Sequence, residues 1–171
     1  MRNMKKCSRC GEIKPLSGFS EISRIKSGYS SWCKECNNKH SREFSKTPSG
    51  IYTTIKGRVK FRNKFKNYHS LSISREDFIR WYNEQNKNCI YCSISEEELQ
   101  TLPDQFNNNS KRLTIDCKDS KNGYSKGNIV LACWRCNIIK GDLLSFDEMM
   151  YIGQNFIKPK WKALRGSLNN A

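Results

Sequence analysis

The spacing of cysteine carries the clearest chemical signal in this chain. Eight of its nine cysteines form four pairs in which two residues separate the two thiols. One such pair places two sulfur ligands at adjacent corners of a tetrahedron, and a second pair completes it, so the four pairs predict two four-cysteine zinc sites. The first site comprises Cys7, Cys10, Cys33 and Cys36, and the second comprises Cys89, Cys92, Cys133 and Cys136.

Disulfides and redox-active dithiols are the alternative interpretations of these pairs. The basic residues 1–6 are not followed by an apolar run, and no stretch reaches the roughly 18 apolar residues of a membrane span. We therefore expect an intracellular protein without a membrane partner, in a prokaryotic cytoplasm or a virus-infected cell, where thiols stay reduced and zinc is favoured. Because four thiolates leave no open position for a substrate, both zinc ions are expected to be structural.

Two oxygen-bearing side chains lie within or directly beside the second cysteine set. Asp116 ends a short predicted strand, and Asn137 follows Cys136 where a helix is predicted to begin. A carboxylate and an amide oxygen, with water completing the shell, suit Mg²⁺ or Mn²⁺. Each residue alone also fits a plain role, a turn-capping aspartate and a helix cap. Their combination inside a zinc cage favours a catalytic metal site.

The net charge of +15 favours a polyanionic partner, and nucleic acid is the commonest one. A helix is predicted from Ile51, because Ile51, Ile55 and Val59 recur every four residues. Its other faces are basic, and we expect them to contact DNA phosphates without reading sequence. The cations concerned are Lys56, Arg58, Lys60, Arg62 and Lys64. Solubility or a solvated helix face is the alternative.

The chain divides into three predicted parts: a zinc-binding unit at residues 1–45, a basic helical linker at 46–88, and a domain at 89–171. A Thr-Pro-Ser-Gly break ends the first part. The linker holds a second predicted helix, which Ser74 caps.

The last part is predicted to contain two strands, at residues 113–116 and 129–132, joined by an Asn- and Gly-rich loop. A helix should run from Cys133 towards Lys140, and a final helix should begin at Ser145 and end before Pro159. These elements predict a small α+β fold.

Residues 89–142 resemble the HNH endonucleases, which carry a strand ending in Asp-His, an Asn opening a second strand, and a helix bearing a final His or Asn. The resemblance is carried by Leu113-Thr114-Ile115-Asp116, Gly123-Tyr124, Asn128-Ile129-Val130-Leu131-Ala132-Cys133, Cys136-Asn137 and Lys140. It implies a zinc-stabilised ββα-metal core, preceded here by a zinc-ribbon-like unit and the linker. It also implies phosphodiester hydrolysis with a catalytic Mg²⁺ or Mn²⁺ held by Asp116 and Asn137, and it adds Asn128 to the site.

The chain departs from this family at one position, where Cys117 replaces the general-base histidine. Residues 69–137 are similar to the small two-zinc HNH restriction enzymes of the PacI type, which also lack that histidine and in which a tyrosine is thought to initiate cleavage. This resemblance nominates Tyr124 and His69 as the acting residues, with Cys117 as another candidate base. Packing of the loop is the alternative for Tyr124, and a merely exposed side chain is the alternative for His69.

The function expected from these observations is a metal-dependent endonuclease of restriction, homing or phage type that cuts duplex DNA. Whether it acts as a homodimer is left open. Two alternatives remain. One is a junction or branched-DNA resolvase, because phage resolvases also place Asn directly after a zinc-binding cysteine pair. The other is a catalytically inactive, zinc-bound DNA-binding regulator, which Cys117 supports.

Overall fold

A computed structural model describes residues 3–62, 70–102 and 111–169, with side chains except those of residue 62 and residues 165–169. Short strands and helices lie in separate groups along the described chain, and all strand pairs are antiparallel, which confirms the predicted α+β class. The chain folds as two compact units, residues 1–54 and 55–171. The three-part division at residues 45 and 88 stays a prediction. Within the described ranges, no helix is long and apolar enough to cross a membrane.

The first unit is built on two small antiparallel hairpins. Strand β1 (Met4–Lys6) pairs with β2 (Ile13–Pro15), and β3 (Phe19–Glu21) pairs with β4 (Tyr29–Cys33). Phe19 is buried together with Cys7 and Cys33. A core this small cannot offset the ordering entropy of the segment by apolar burial alone, so this unit needs a metal staple.

Two helices follow these hairpins. Helix α1 (Lys34–Lys46) begins directly after Cys33, and α2 (Pro48–Arg62) begins after a single intervening residue. The sequence predicts that the basic helix begins at Ile51, whereas α2 begins three residues earlier, at Pro48. Pro48 explains the difference, because its fixed φ and missing N–H suit the first position of a helix.

The second unit contains a two-stranded antiparallel sheet covered by helices. Strand β5 (Leu113–Cys117) pairs with β6 (Ile129–Cys133), each one residue longer than predicted, and Asp116 lies opposite Val130. All five residues of β6 are buried. The chain then turns directly into α5 (Trp134–Lys140), as the sequence predicts.

The helices of this unit begin where their caps predict. Helix α3 (Arg75–Glu84) is capped by Ser74, whose hydroxyl accepts from the Asp77 amide. Helices α4 (Glu96–Gln100) and α6 (Phe146–Ile152) both begin with a complete capping box.

The end of the last helix differs from the prediction. The helical path does not end before Pro159. It passes through a π-helical turn, Gly153–Ile157, into α7 (Lys158–Asn169). The amide of Lys158 bonds to the carbonyl of Gly153, five residues back. This wider turn precedes Pro159, which lacks an N–H, and the helical path continues past the proline into α7.

Candidate active site and metal centres

Both predicted cysteine sets come together in space. In each set the four sulfur atoms lie within 4.8 Å of one another, and all nine cysteines are free thiols. In the second set, Sγ of Cys92 lies 3.7 Å from Sγ of Cys133. A tetrahedral zinc with bonds of about 2.3 Å separates its sulfur ligands by about 3.8 Å, so this spacing fits zinc.

Backbone amides point at the sulfur atoms of both sets. Cys7 Sγ accepts from the amides of Arg9 and Cys33, at 3.4 and 3.3 Å. Cys133 Sγ accepts from the amide of Cys136 at 3.5 Å. Donors of this kind favour the thiolate, which is the form that binds a metal ion.

One face of strand β5 packs against one face of helix α5. Thr114 and Asp116 are two apart on the strand, and Asn137 and Lys140 are three apart on the helix, so each pair projects to one side. Nδ2 of Asn137 donates to Oγ1 of Thr114 at 2.8 Å, and Nζ of Lys140 lies 3.8 Å from Oδ2 of Asp116. The structure therefore brings Asp116 and Asn137, the predicted ligands of the catalytic cation, to the same strand–helix interface.

The amide of Asn137 has a defined orientation. The Thr114 hydroxyl donates its proton to the carbonyl of Ala132 at 3.0 Å, so its oxygen can only accept from Asn137. Nδ2 of Asn137 thus faces Thr114, and Oδ1 is turned to the opposite side of the amide group. An oxygen held in this way is suited to bind a hard cation.

Asp116 is buried, with 8% of its surface exposed, and both of its oxygens accept hydrogen bonds. The phenol of Tyr91 donates to Oδ2 at 2.7 Å, and the amide of Cys117 donates to Oδ1 at 2.9 Å. Burial raises the pKa of Asp116, and the Tyr91 hydrogen bond and the Lys140 charge oppose that rise. Burial and the neighbouring carboxylate raise the pKa of Tyr91 as well, so its hydroxyl keeps the proton at neutral pH.

The sequence did not single out Tyr91 as a site residue. It lies in the turn between Cys89 and Cys92, so the ligands of the second cluster fix the backbone on both sides of it. Its ring packs against Phe146, with ring centroids 5.7 Å apart. One signal in the sequence points to Tyr91. It lies inside one cysteine pair of the second set, and Asn137 directly follows the other pair of that set.

The π-helical turn packs directly on Tyr91. A Cβ added at Gly153 would lie 2.8 Å from Cβ of Tyr91 and closer still to its carbonyl oxygen, so only glycine fits there. Nε2 of Gln154 donates to the same carbonyl at 2.6 Å. Tyr91 is therefore held from the cluster side, the Phe146 side and the π-turn side.

Asn128 binds the loop between the strands. Its Oδ1 accepts from the amide of Asp119 at 2.9 Å, and its Nδ2 donates to the carbonyls of Asp119 and Gly123, both at 2.7 Å. These three bonds tie together the two ends of the loop. They give Asn128 a structural role, in addition to the site role that the family resemblance implies.

Tyr124, one of the two residues nominated by resemblance, pairs with the segment that begins at Ser70. The amide of Tyr124 donates to the carbonyl of Ser70, and its own carbonyl accepts from the amides of Ser72 and Ile73. Gly123, at φ +60°, approaches Ser70 so closely that a Cβ there would lie 2.5 Å from the Ser70 oxygen. His69 precedes Ser70 in sequence and lies outside the described residues.

Cys117, the candidate replacement for the base, is buried at the end of β5. Burial, and next the charge of Asp116, raise its pKa to about 12. A thiol in this environment stays protonated at neutral pH and is a poor proton acceptor.

Three of the five cations predicted to contact DNA lie exposed on the described part of helix α2. Ile55 and Val59 are buried, while Lys56, Arg58 and Lys60 are exposed. The side chain of Arg62, and Lys64 as a whole, lie outside the described residues.

Comparisons with known proteins give one informative result. No protein-family model matches the chain, and no curated protein matches it. The solved structure of the rare-cutting HNH restriction endonuclease PacI matches over 95% of this chain and 99% of that chain, with 26% sequence identity and a TM-score of 0.56. The chain is thus similar to the HNH restriction endonucleases of the PacI type, in its fold over nearly its whole length and in two four-cysteine clusters that fit zinc.

Proposed function

We propose that this chain is a metal-dependent endonuclease that hydrolyses phosphodiester bonds in duplex DNA. The observation that carries the proposal is the convergence of Asp116 and Asn137 on one strand–helix interface, with the hydroxyl of Tyr91 bonded to Asp116. The structural relative is a rare-cutting HNH restriction endonuclease described as perturbing DNA, which supports DNA as the substrate.

The donor set at this interface fits a hard divalent cation. A buried carboxylate and an amide oxygen are the ligands that Mg²⁺ and Mn²⁺ prefer. The groups that contact the Asp116 carboxylate are the phenol of Tyr91, the amide of Cys117 and the ammonium of Lys140, so all of them are oxygen or nitrogen groups. We propose that Asp116 and Asn137 hold this ion. When bound, the ion would stabilise charge on the scissile phosphate and the leaving oxygen.

The two cysteine clusters, in this proposal, hold structural zinc. The second cluster joins the knuckle of Cys89 and Cys92 to the start of α5 at Cys133 and Cys136. It therefore fixes both Tyr91 and Asn137, which are chain neighbours of its ligands. Zinc would act on the chemistry only through these positions.

Tyr91 is a residue that we propose positions Asp116 for cleavage. Its side chain is fully buried and its hydroxyl lies 2.7 Å from a carboxylate oxygen of the site, so it reaches Asp116 and not the substrate. Because burial raises its pKa, Tyr91 keeps its proton and donates a hydrogen bond to Oδ2 of Asp116. Tyr124, which the PacI-type resemblance nominates as the acting tyrosine, and His69 are the candidates for moving a proton, and the protonated Cys117 is the weakest.

The exposed face of helix α2 is the proposed contact with the DNA backbone. Lys56 and Lys60 lie on one side of the buried stripe of Ile55 and Val59, and Arg58 lies on the other. Cations on such a face neutralise phosphates and position the duplex without reading bases.

The test is cleavage by the purified, zinc-loaded full chain on linear, supercoiled and four-way-junction DNA with Mg²⁺ or Mn²⁺. We expect the wild-type chain to cut duplex DNA, and Asp116→Asn and Asn137→Ala each to abolish cutting while DNA binding and zinc content persist. Asp142→Asn is the matched control, because Asp142 is exposed and loses the same charge. Cutting of junctions alone would support a resolvase, and no cutting of any substrate would support a DNA-binding regulator.

A further inference from the structure

Lys140 is a lysine in a place where lysine is rare. Its surface is only 1% exposed, although it is the last residue of helix α5. A buried ammonium is costly unless hydrogen bonds and an opposite charge compensate it. Its partners should therefore reveal why the sequence places it there.

Two groups compensate the charge of Lys140, and both belong to the end of β5. Nζ donates to the carbonyl of Cys117 at 2.8 Å and lies 3.8 Å from Oδ2 of Asp116. The shorter contact fixes the ammonium to the peptide that follows Cys117. The longer one is an ion pair without a close hydrogen bond, so the carboxylate keeps its bonds to Tyr91 and the Cys117 amide.

We propose that Lys140 is an internal counter-ion of Asp116, a positioning residue that orients this carboxylate and lowers its affinity for a divalent cation. The inference rests on the proposed function, because it assigns to Asp116 the role of metal ligand. Without the ion, Lys140 balances the buried carboxylate and keeps β5 against α5. With the ion bound, two positive charges share one carboxylate, and their repulsion weakens binding.

The two parts of this role respond in opposite directions when the charge is removed. Loss of the ammonium leaves the buried carboxylate without a counter-charge, which destabilises the chain in the absence of the ion. The same loss removes the repulsion, which tightens binding of the ion. A lysine with only a packing role would lower stability without tightening metal binding.

The decisive measurement is Mn²⁺ binding by the DNA-free, zinc-loaded full chain, followed by electron paramagnetic resonance of the free ion. We expect Lys140→Met to bind Mn²⁺ at least about fivefold more tightly than the wild type, because a charge a few ångströms away has been removed. Its thermal unfolding temperature should fall without Mn²⁺ and recover more on Mn²⁺ addition than that of the wild type. Lys118→Met, which removes an exposed charge beside the same strand, should change affinity by less than about twofold.

A second neutral variant covers the case in which Lys140→Met does not fold. Lys140→Gln keeps an N–H donor for the Cys117 carbonyl and should show the same tighter binding. Equal or weaker Mn²⁺ binding by the folded neutral variants, beside normal binding by the wild type, would overturn the counter-ion role. If Asp116→Asn leaves wild-type Mn²⁺ binding unchanged, the metal site itself is misplaced, and the proposed function fails on separate grounds.

Discussion

The phenol of Tyr91 donates a 2.7 Å hydrogen bond to Oδ2 of Asp116, across 25 residues of sequence. Tyr91 lies between two cysteines of the second cluster, and Asp116 lies in the strand that the cluster-bearing helix covers. The bond therefore connects the second cysteine cluster to the proposed catalytic carboxylate. Changes on either side of this bond should affect cleavage.

Replacing Tyr91 with phenylalanine tests its proposed role most directly. Tyr91→Phe keeps the buried ring but removes the hydrogen bond that orients Asp116, so single-turnover cleavage should slow by about 10-fold or more. Zinc content and DNA affinity should be unchanged.

Tyr124→Phe is the matched comparison for this variant, because it removes the same hydroxyl from the tyrosine that the sequence resemblance nominated. We expect it to have the larger effect on the rate, about 10²-fold or more, because it removes a group nominated to act in proton transfer. If Tyr124→Phe and His69→Ala slow cleavage while Tyr91→Phe does not, the sequence nomination is correct and the assignment to Tyr91 is wrong.

Removing one thiol from a cluster should remove one zinc ion. Cys89→Ser should lower the zinc content from about two ions per chain to about one, because a structural site needs all four ligands to fold. Cleavage should disappear with it, since Tyr91 is the second residue after Cys89.

The ninth cysteine supplies the control for this experiment. Cys117 lies outside both clusters, so Cys117→Ser should retain about two zinc ions by elemental analysis. Zinc loss in Cys117→Ser, or full zinc content in Cys89→Ser, would show that the ligands are assigned incorrectly.

The features that the sequence predicts correctly are those with a local signal. Short apolar runs and a loop rich in Asn and Gly predict strands β5 and β6 and the start of helix α5. The cysteine clusters follow from spacing, because a ligand pair is a local geometric unit. Ser74 and Ser145 open helices by caps that act within three residues.

The features that the sequence misses depend on contacts between distant residues. Lys140 looks like an ordinary cation at a helix C-terminus, and only the packing of α5 on β5 shows that it is buried beside Asp116. Tyr91 looks like a packed residue of a zinc knuckle. Pro159 predicts a helix end, but a π turn precedes it and the helical path continues into α7.

Gly153 should tolerate no side chain, because its backbone packs on the backbone of Tyr91. Gly153→Ala should lower the free energy of unfolding by about 1–3 kcal/mol, the usual cost of overpacking. It should also slow cleavage by displacing Tyr91.

Gly127→Ala is the matched control for this substitution, since no atom lies within 4 Å of the Cβ that it adds. Urea unfolding and single-turnover cleavage of both variants make the comparison. A Gly153→Ala chain as stable and active as the control would mean that the π turn does not position Tyr91.

The last prediction concerns the basic face of helix α2. Replacing Lys56, Arg58 and Lys60 together with glutamine removes three exposed charges next to the buried Ile55 and Val59. Binding should weaken to a similar extent on all duplex sequences, because cations that bind phosphates carry no sequence information. The slope of log affinity against log salt should flatten by about 0.9 for each phosphate that the variant no longer neutralises.

Replacing Lys158, Lys160 and Lys162 with glutamine removes the same charge from exposed positions of another helix, α7, and serves as the control. Net charge alone would affect both triple variants equally, whereas DNA binding at α2 predicts a flatter salt dependence only for the α2 variant. Equal slopes in the two variants would place the DNA-binding surface elsewhere on the chain.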